Sequence, residues 1–287
     1  MSYADEEIAS QPEAWRAALR MAGTPLAGMP QRGERVAVIG CGTSLNAGVA
    51  YARLREAAGE GETDAWPASE FPADRRYDRV LAFSRTGTTT EVLLALPAGV
   101  PTTAFTAVPG TPLVSTARHT VLLDFADERS VVQTRFPTAL LILLRASLGE
   151  DVSALPGLAE AAVTAPLPAG DFAQYTFLGT GWAAGLAAEA ALKVREAAGA
   201  WAESYPAMEY RHGPISVADP RSLVWFLGVP PAGLVDDARR TGATVETAAV
   251  DPLVDLIRVQ RLAVDLAKAR GLDPDNPRNL ARSIILR

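Results

Sequence analysis

The chain has 287 residues, 48% of them apolar and 21% charged, with a net charge of -6 and one cysteine, Cys41. That length exceeds one ordinary core and suits two domains, and the composition excludes a disordered chain. The acidic balance excludes a basic nucleic-acid-binding face, and a lone cysteine excludes both an internal disulfide and a cysteine-built zinc site. The opening residues show neither a basic n-region nor an apolar h-region, and no run reaches the ~18 apolar residues of a membrane span. A cytoplasmic protein without a membrane partner is therefore expected.

In chain order, a helical lead over Glu6–Arg20 precedes apolar strands at Arg35–Ile39, Val80–Phe83, Thr102–Thr106 and Thr120–Phe125. Helices are expected between and after them at Ser44–Ala58, Thr89–Ala95 and Thr134–Leu148. The stretch Gly149–Gly170 carries Pro156, Pro166 and Pro168 around a short Ala-rich helical piece and reads as a linker. It divides the chain into expected domains at 1–150 and 151–287. The second set has strands at Tyr175–Leu178, Leu223–Leu227 and Thr244–Val250, and helices at Ala183–Ala198, Leu234–Thr241 and Val254–Ala269. Such alternation specifies an α/β class with a parallel sheet flanked by helices in each domain. The tail Gly271–Arg287, with two prolines and an apolar end, is expected to dock.

The halves resemble one another. Ile39-Gly40-Cys41-Gly42 leads into a helix ending Arg55-Glu56-Ala57-Ala58-Gly59, and Leu178-Gly179-Thr180-Gly181 leads into one ending Arg195-Glu196-Ala197-Ala198-Gly199. One residue of slippage aligns both ends, which points to a duplicated unit.

In an open parallel sheet, ligands sit beyond the carboxyl ends of the strands. Two loops there, Cys41-Gly42-Thr43-Ser44 and Ser84-Arg85-Thr86-Gly87-Thr88-Thr89, place glycine beside hydroxyls at expected helix starts. Glycine lets the backbone curl into an anion nest, and Ser and Thr hydroxyls donate to phosphate oxygens. The plainer alternative makes Ser44 and Thr88 or Thr89 simple helix N-caps. Neither loop has the Gly-Lys-Ser/Thr of a Walker motif or the dinucleotide fingerprint, so no nucleotide cofactor is expected.

Glu189, Lys193 and Glu196 fall at i, i+4 and i+7, on one helix face. They form either a solvated ion-pair ladder or, given the Ala, Leu and Val around them, a buried mouth where a glutamate serves as base. His212 lies in a Tyr-Arg-His-Gly-Pro turn, whereas His119 leads into a strand and is given a structural role. No His, Asp and Glu cluster has metal-ligand spacing, and metal-independent chemistry is expected.

Together these segments resemble the sugar isomerase (SIS) domain family in its double-domain form. That group includes the isomerase portion of glucosamine-6-phosphate synthase and related aminosugar-phosphate deaminases. The likeness runs through Glu6–Pro12, Cys41–Ser44, Ser84–Thr89, Glu128–Phe136, Glu189–Glu196, Glu203–Pro214 and Pro277–Leu280. It implies two SIS domains paired into a homodimer, with a phosphorylated aminosugar as substrate. By position, the family's phosphate contacts fall on Ser44, Ser84, Thr86 and Thr89, with Thr43 beside them. Its general base falls on Glu196, with Lys193 on the same helix face as a substrate-binding candidate. Its ring-opening histidine, donated by a partner subunit, falls on His212.

Three positions depart from the synthase pattern. Arg85 replaces a glutamine and is read as an extra phosphate donor, and Gln133 replaces a serine that holds substrate. Arg282 replaces the tail lysine, and arginine stays protonated and does not readily form an imine. The expected activity is isomerisation and deamination of an aminosugar 6-phosphate by proton abstraction at carbon 2. Dehydration of N-acetylglucosamine 6-phosphate and non-catalytic phosphosugar binding stand as alternatives.

Overall fold

The computed structural model describes residues 2–72 and 74–286. Two parallel sheets organise them. The first has five strands in the order β2-β1-β3-β4-β5, and the second has four in the order β7-β6-β8-β9.

In the first half, α1 (Tyr3–Ala9) and α2 (Gln11–Ala22) precede β1 (Val36–Gly40), α3 (Thr43–Ala57) and β2 (Thr63–Pro67). Next come β3 (Arg79–Phe83), α4 (Thr90–Leu94), β4 (Thr102–Thr106), α5 (Pro112–Thr116), β5 (His119–Leu122) and α6 (Arg135–Ser147). The central strands have both faces covered: every residue of β1 and β4 is buried, the three threonines of β4 included. The expected single lead helix is two helices. Pro12 occupies the first turn of α2, where its missing N–H costs nothing, and so opens a new helix after Ser10. Trp15 of α2 is fully buried and its indole donates to Thr138 of α6 at 3.0 Å.

The Ala-rich piece between the prolines is α7 (Leu155–Thr164), followed by β6 (Gln174–Gly179), α8 (Ala183–Ala198) and β7 (Ala202–Pro206). The chain continues through short 3₁₀ turns at Ala207–His212 and Pro214–Val217 into β8 (Ser222–Leu227), α9 (Leu234–Arg240), β9 (Thr244–Thr247) and α10 (Pro252–Ala269). β5 and β9 stop short of their expected ends. After β5 the chain turns into 3₁₀ geometry at Asp124–Ala126, and β9 is a partly exposed edge strand.

The described residues form two compact units. One gathers α1, Ser130–Thr134 and Gly157–Leu280 around the second sheet. The other gathers Ser10–Arg129, Arg135–Pro156 and the tail from Ala281 around the first. The chain thus passes between units at several points rather than once within 149–170.

The suspected duplication has a topological counterpart. In each sheet the first strand of the repeat is flanked by its second on one side and its third on the other. Gly40 pairs with Pro67 in one sheet, and Gly179 pairs with Pro206 in the other. At both glycines the following helix presses on the strand end. A Cβ on Gly40 would lie 2.8 Å from the Ser44 carbonyl carbon, and one on Gly179 would lie 2.2 Å from the Ala183 carbonyl oxygen. Glycine is therefore required where each strand turns into its helix.

Candidate functional site

In the first-sheet unit, both hydroxyl-bearing loops leave the carboxyl ends of adjacent strands, β1 and β3. Thr43 and Ser44 are buried in the first turn of α3, whose N-cap is Gly42. Ser84 follows β3 and folds the second loop on itself, its Oγ accepting from the Gly87 N–H at 3.2 Å. The simple capping alternative does not describe these hydroxyls. Thr89 occupies the N-cap position of α4 without a side-chain cap bond, and Ser44 lies inside its helix.

Gly87 has φ +64°. A Cβ there would stand 2.1 Å from Thr111 Oγ1, so the nest requires glycine on both conformational and steric grounds. Gly87→Ala is expected to destabilise the protein by about 2 kcal/mol and to weaken any anion binding at the loop, measured by urea denaturation alongside ligand titration.

Arg85, expected to donate to phosphate, has its side chain fully buried and directed at Glu128, 3.8 Å away. Glu128 also accepts from the backbone N–H of Arg135 at 2.7 Å and of Phe136 at 3.2 Å, where α6 begins. Arg85 thus braces the loop against a buried carboxylate. Arg282, half exposed, pairs its guanidinium with Asp127 at 2.5 Å.

In the second-sheet unit, the helix-face triad is buried. Lys193, at 1% side-chain exposure, stands 3.3 Å from Glu189 and 2.5 Å from Glu196. Glu189 is as hidden as the lysine, whereas Glu196 keeps 20% of its side chain accessible. Burial by itself would lower the Lys193 pKa, but the two carboxylates outweigh it and hold the ammonium above the ordinary lysine range. The solvated-ladder reading is excluded for Glu189 and Lys193. Glu196 borders a cavity of about 290 Å³ lined also by Asp273, Asn276, Arg278 and Asn279.

Gln133 also belongs to this unit, in a segment whose Val131 N–H donates to the Asp275 carbonyl at 3.0 Å. Its Oε1 is buried and has no hydrogen-bond partner among the described residues, an acceptor left available at a cost. His212 is exposed at the end of a turn anchored by the fully buried Tyr210. Burial pushes the Tyr210 hydroxyl up to about 12. Sequence reasoning missed Ser283, which lies against the Ser84–Thr89 loop. Its only advance signal was the expectation that the tail docks.

The fold agrees with solved structures over essentially the whole chain. A glucosamine-6-phosphate deaminase from Thermotoga maritima superposes with a TM-score of 0.80 at 24% identity, covering 99% of this chain and 100% of that one. The C-terminal domain of glucosamine-fructose-6-phosphate aminotransferase from Francisella tularensis also gives 0.80, at 21% identity and 96% and 98% coverage. In sequence, the chain is homologous to part of the isomerizing glutamine–fructose-6-phosphate aminotransferase of Methanothermobacter thermautotrophicus. The two are 28% identical over 339 residues, an alignment spanning 97% of this chain and 56% of that protein. The chain spans about half the length of the curated relatives it matches. No protein-family profile matches it. Among the described residues, no helix is long and apolar enough to cross a membrane.

Proposed function

We propose that the chain is a double-SIS phosphosugar enzyme that abstracts the carbon-2 proton of an aminosugar 6-phosphate. The observation that carries this reading is the Glu189–Lys193–Glu196 triad. Its two inner members are buried, and only Glu196 keeps access to a cavity. A carboxylate held by a fixed lysine beside open space is arranged to exchange a proton with a bound molecule. The hydroxyls of Ser44, Ser84, Thr86 and Thr89 would hold the 6-phosphate, with Thr43 beside them. Gln133 would accept a hydrogen bond from the sugar.

In this mechanism His212, donated by the partner in a homodimer, opens the sugar ring. Glu196 takes the proton from carbon 2 and returns it to carbon 1, converting aldose to ketose. With a free 2-amino group the shift leaves a ketimine, which water hydrolyses with release of ammonia. The names of the structural and sequence relatives, a deaminase and aminotransferases, support this class of substrate.

Arg282 favours a second reading. Its guanidinium is committed to Asp127 and supplies no amine for an imine. The carbanion formed by Glu196 could instead expel the carbon-3 hydroxyl of an N-acetylated sugar, a dehydration.

One assay panel separates the readings. Protein is incubated with glucosamine 6-phosphate, N-acetylglucosamine 6-phosphate and fructose 6-phosphate, and ammonia, ketose and product mass are followed. Ammonia with ketose is expected from the first sugar. Loss of water without ammonia would select the dehydratase. Phosphosugar-induced stabilisation without turnover of any of the three would leave a binding protein.

A further inference from the structure

The tail from Ala281 meets the Ser84–Thr89 loop through one atom in particular. Ser283 Oγ lies 2.8 Å from Thr88 Oγ1, 3.2 Å from Thr86 Oγ1 and 3.5 Å from Thr89 Oγ1. Backbone contacts extend the attachment: Thr90 N–H donates to the Ile284 carbonyl at 3.1 Å, and Leu286 N–H donates to Thr90 Oγ1 at 3.0 Å. Upstream, Arg85 donates to the Arg282 carbonyl at 3.3 Å, and the Arg282 side chain is held by Asp127.

We propose that Ser283 is an internal competitor for the phosphate subsite, its hydroxyl standing where a phosphate oxygen of the substrate would bind. The inference rests on the assignment of this loop as the phosphate anchor. Two threonine hydroxyls donating to one oxygen, with a third in reach of it, is an arrangement that would also hold a phosphate oxygen. Thr86 and Thr89 are two of the loop residues that the family resemblance assigns to phosphate. Two oxygens cannot share the position, so phosphate binding displaces Ser283 and loosens the tail.

The attachment is of the right strength to be displaced. Ile284, Ile285 and Leu286 are 46%, 65% and 58% exposed, so little apolar burial holds the tail. What remains is a handful of neutral hydrogen bonds, each worth roughly a 2- to 12-fold factor in an equilibrium, one bond from the charged Arg85 guanidinium worth roughly 12- to 160-fold, and a half-exposed ion pair worth at most about fivefold. A phosphate dianion forms charge-assisted bonds with the same hydroxyls, roughly twice as strong. The seated tail therefore lowers apparent affinity by the fraction of time the cradle is open.

The test titrates fructose 6-phosphate into wild-type protein and into Ser283→Ala and Ser44→Ala variants by calorimetry, with hydrogen exchange followed over 282–286. Ser283→Ala is expected to bind about 2- to 12-fold more tightly than wild type. Ser44→Ala, on the other loop, is expected to bind more weakly. Exchange in the tail is expected to rise when the sugar phosphate binds, the reverse of the usual protection. Binding by Ser283→Ala alone would also support the proposal. If Ser44→Ala weakens binding while Ser283→Ala matches or falls below wild type, the phosphate anchor stands and the competition is overturned. If no protein binds, the anchor itself is wrong and the inference falls with it.

Discussion

Glu196→Gln is expected to lower turnover of the responsive sugar phosphate by roughly 10²–10⁴-fold while leaving its binding in place. Glutamine keeps the size of the side chain and retains an acceptor for Lys193, which donates to Glu196 at 2.5 Å. It cannot take a proton from carbon. Because the phosphate hydroxyls belong to separate loops, affinity measured by calorimetry should change little. The informative pattern is a collapse of kcat with a preserved Kd. Full turnover by the variant would place the base elsewhere.

Lys193→Met is expected to destabilise the fold by about 3–5 kcal/mol, the cost of breaking a buried ion pair by removing one partner. Methionine fills a comparable volume, so the loss is electrostatic rather than a cavity. Glu189, at 3% exposure, loses its lysine partner on the same helix face as Glu196. The sign of the pH dependence follows from the raised Lys193 pKa. The stability it confers is fully present below the ordinary lysine value of about 10.5 and is lost as pH rises through the higher folded value. Urea denaturation should thus show a constant gap between wild type and variant across neutral pH, narrowing in strong alkali. A Lys193→Met protein as stable as wild type would refute the buried-triad account.

The central strands were legible because burial on both faces writes them as uninterrupted apolar runs, as in Val80–Phe83 and Leu223–Leu227. The flanking strands β2 and β7 were not. Thr63-Asp64-Ala65-Trp66-Pro67 and Ala202-Glu203-Ser204-Tyr205-Pro206 sit at sheet edges with mostly half-buried residues, and each ends in a proline that a sheet tolerates only at such a margin. The first turn of α3 and the Ser84 loop could be found because their glycines and hydroxyls are contiguous in sequence. Ser283 could not, since 195 residues separate it from Thr88 and a lone serine carries no local pattern. A separation of 155 residues likewise hid the partner of Arg282. The triad spacing was visible, but whether it faced water depended on what packs over α8, which includes α10.

The repeated topology has a further consequence. The loop after β3 carries Ser84, Thr86, Thr88 and Thr89, whereas its counterpart after β8 reads Gly228-Val229-Pro230-Pro231, with no hydroxyl and with Val229 88% exposed. Conversely, with Arg55-Glu56-Ala57-Ala58 set against Arg195-Glu196-Ala197-Ala198, α3 has Val49, Arg53 and Glu56 where α8 carries Glu189, Lys193 and Glu196, and its Arg53 and Glu56 side chains are 65% and 40% exposed. The two sheets thus share a strand order while the side chains at corresponding positions differ. Under the proposed function one half grasps the phosphate and the other moves the proton, so neither half on its own holds a full set of tools.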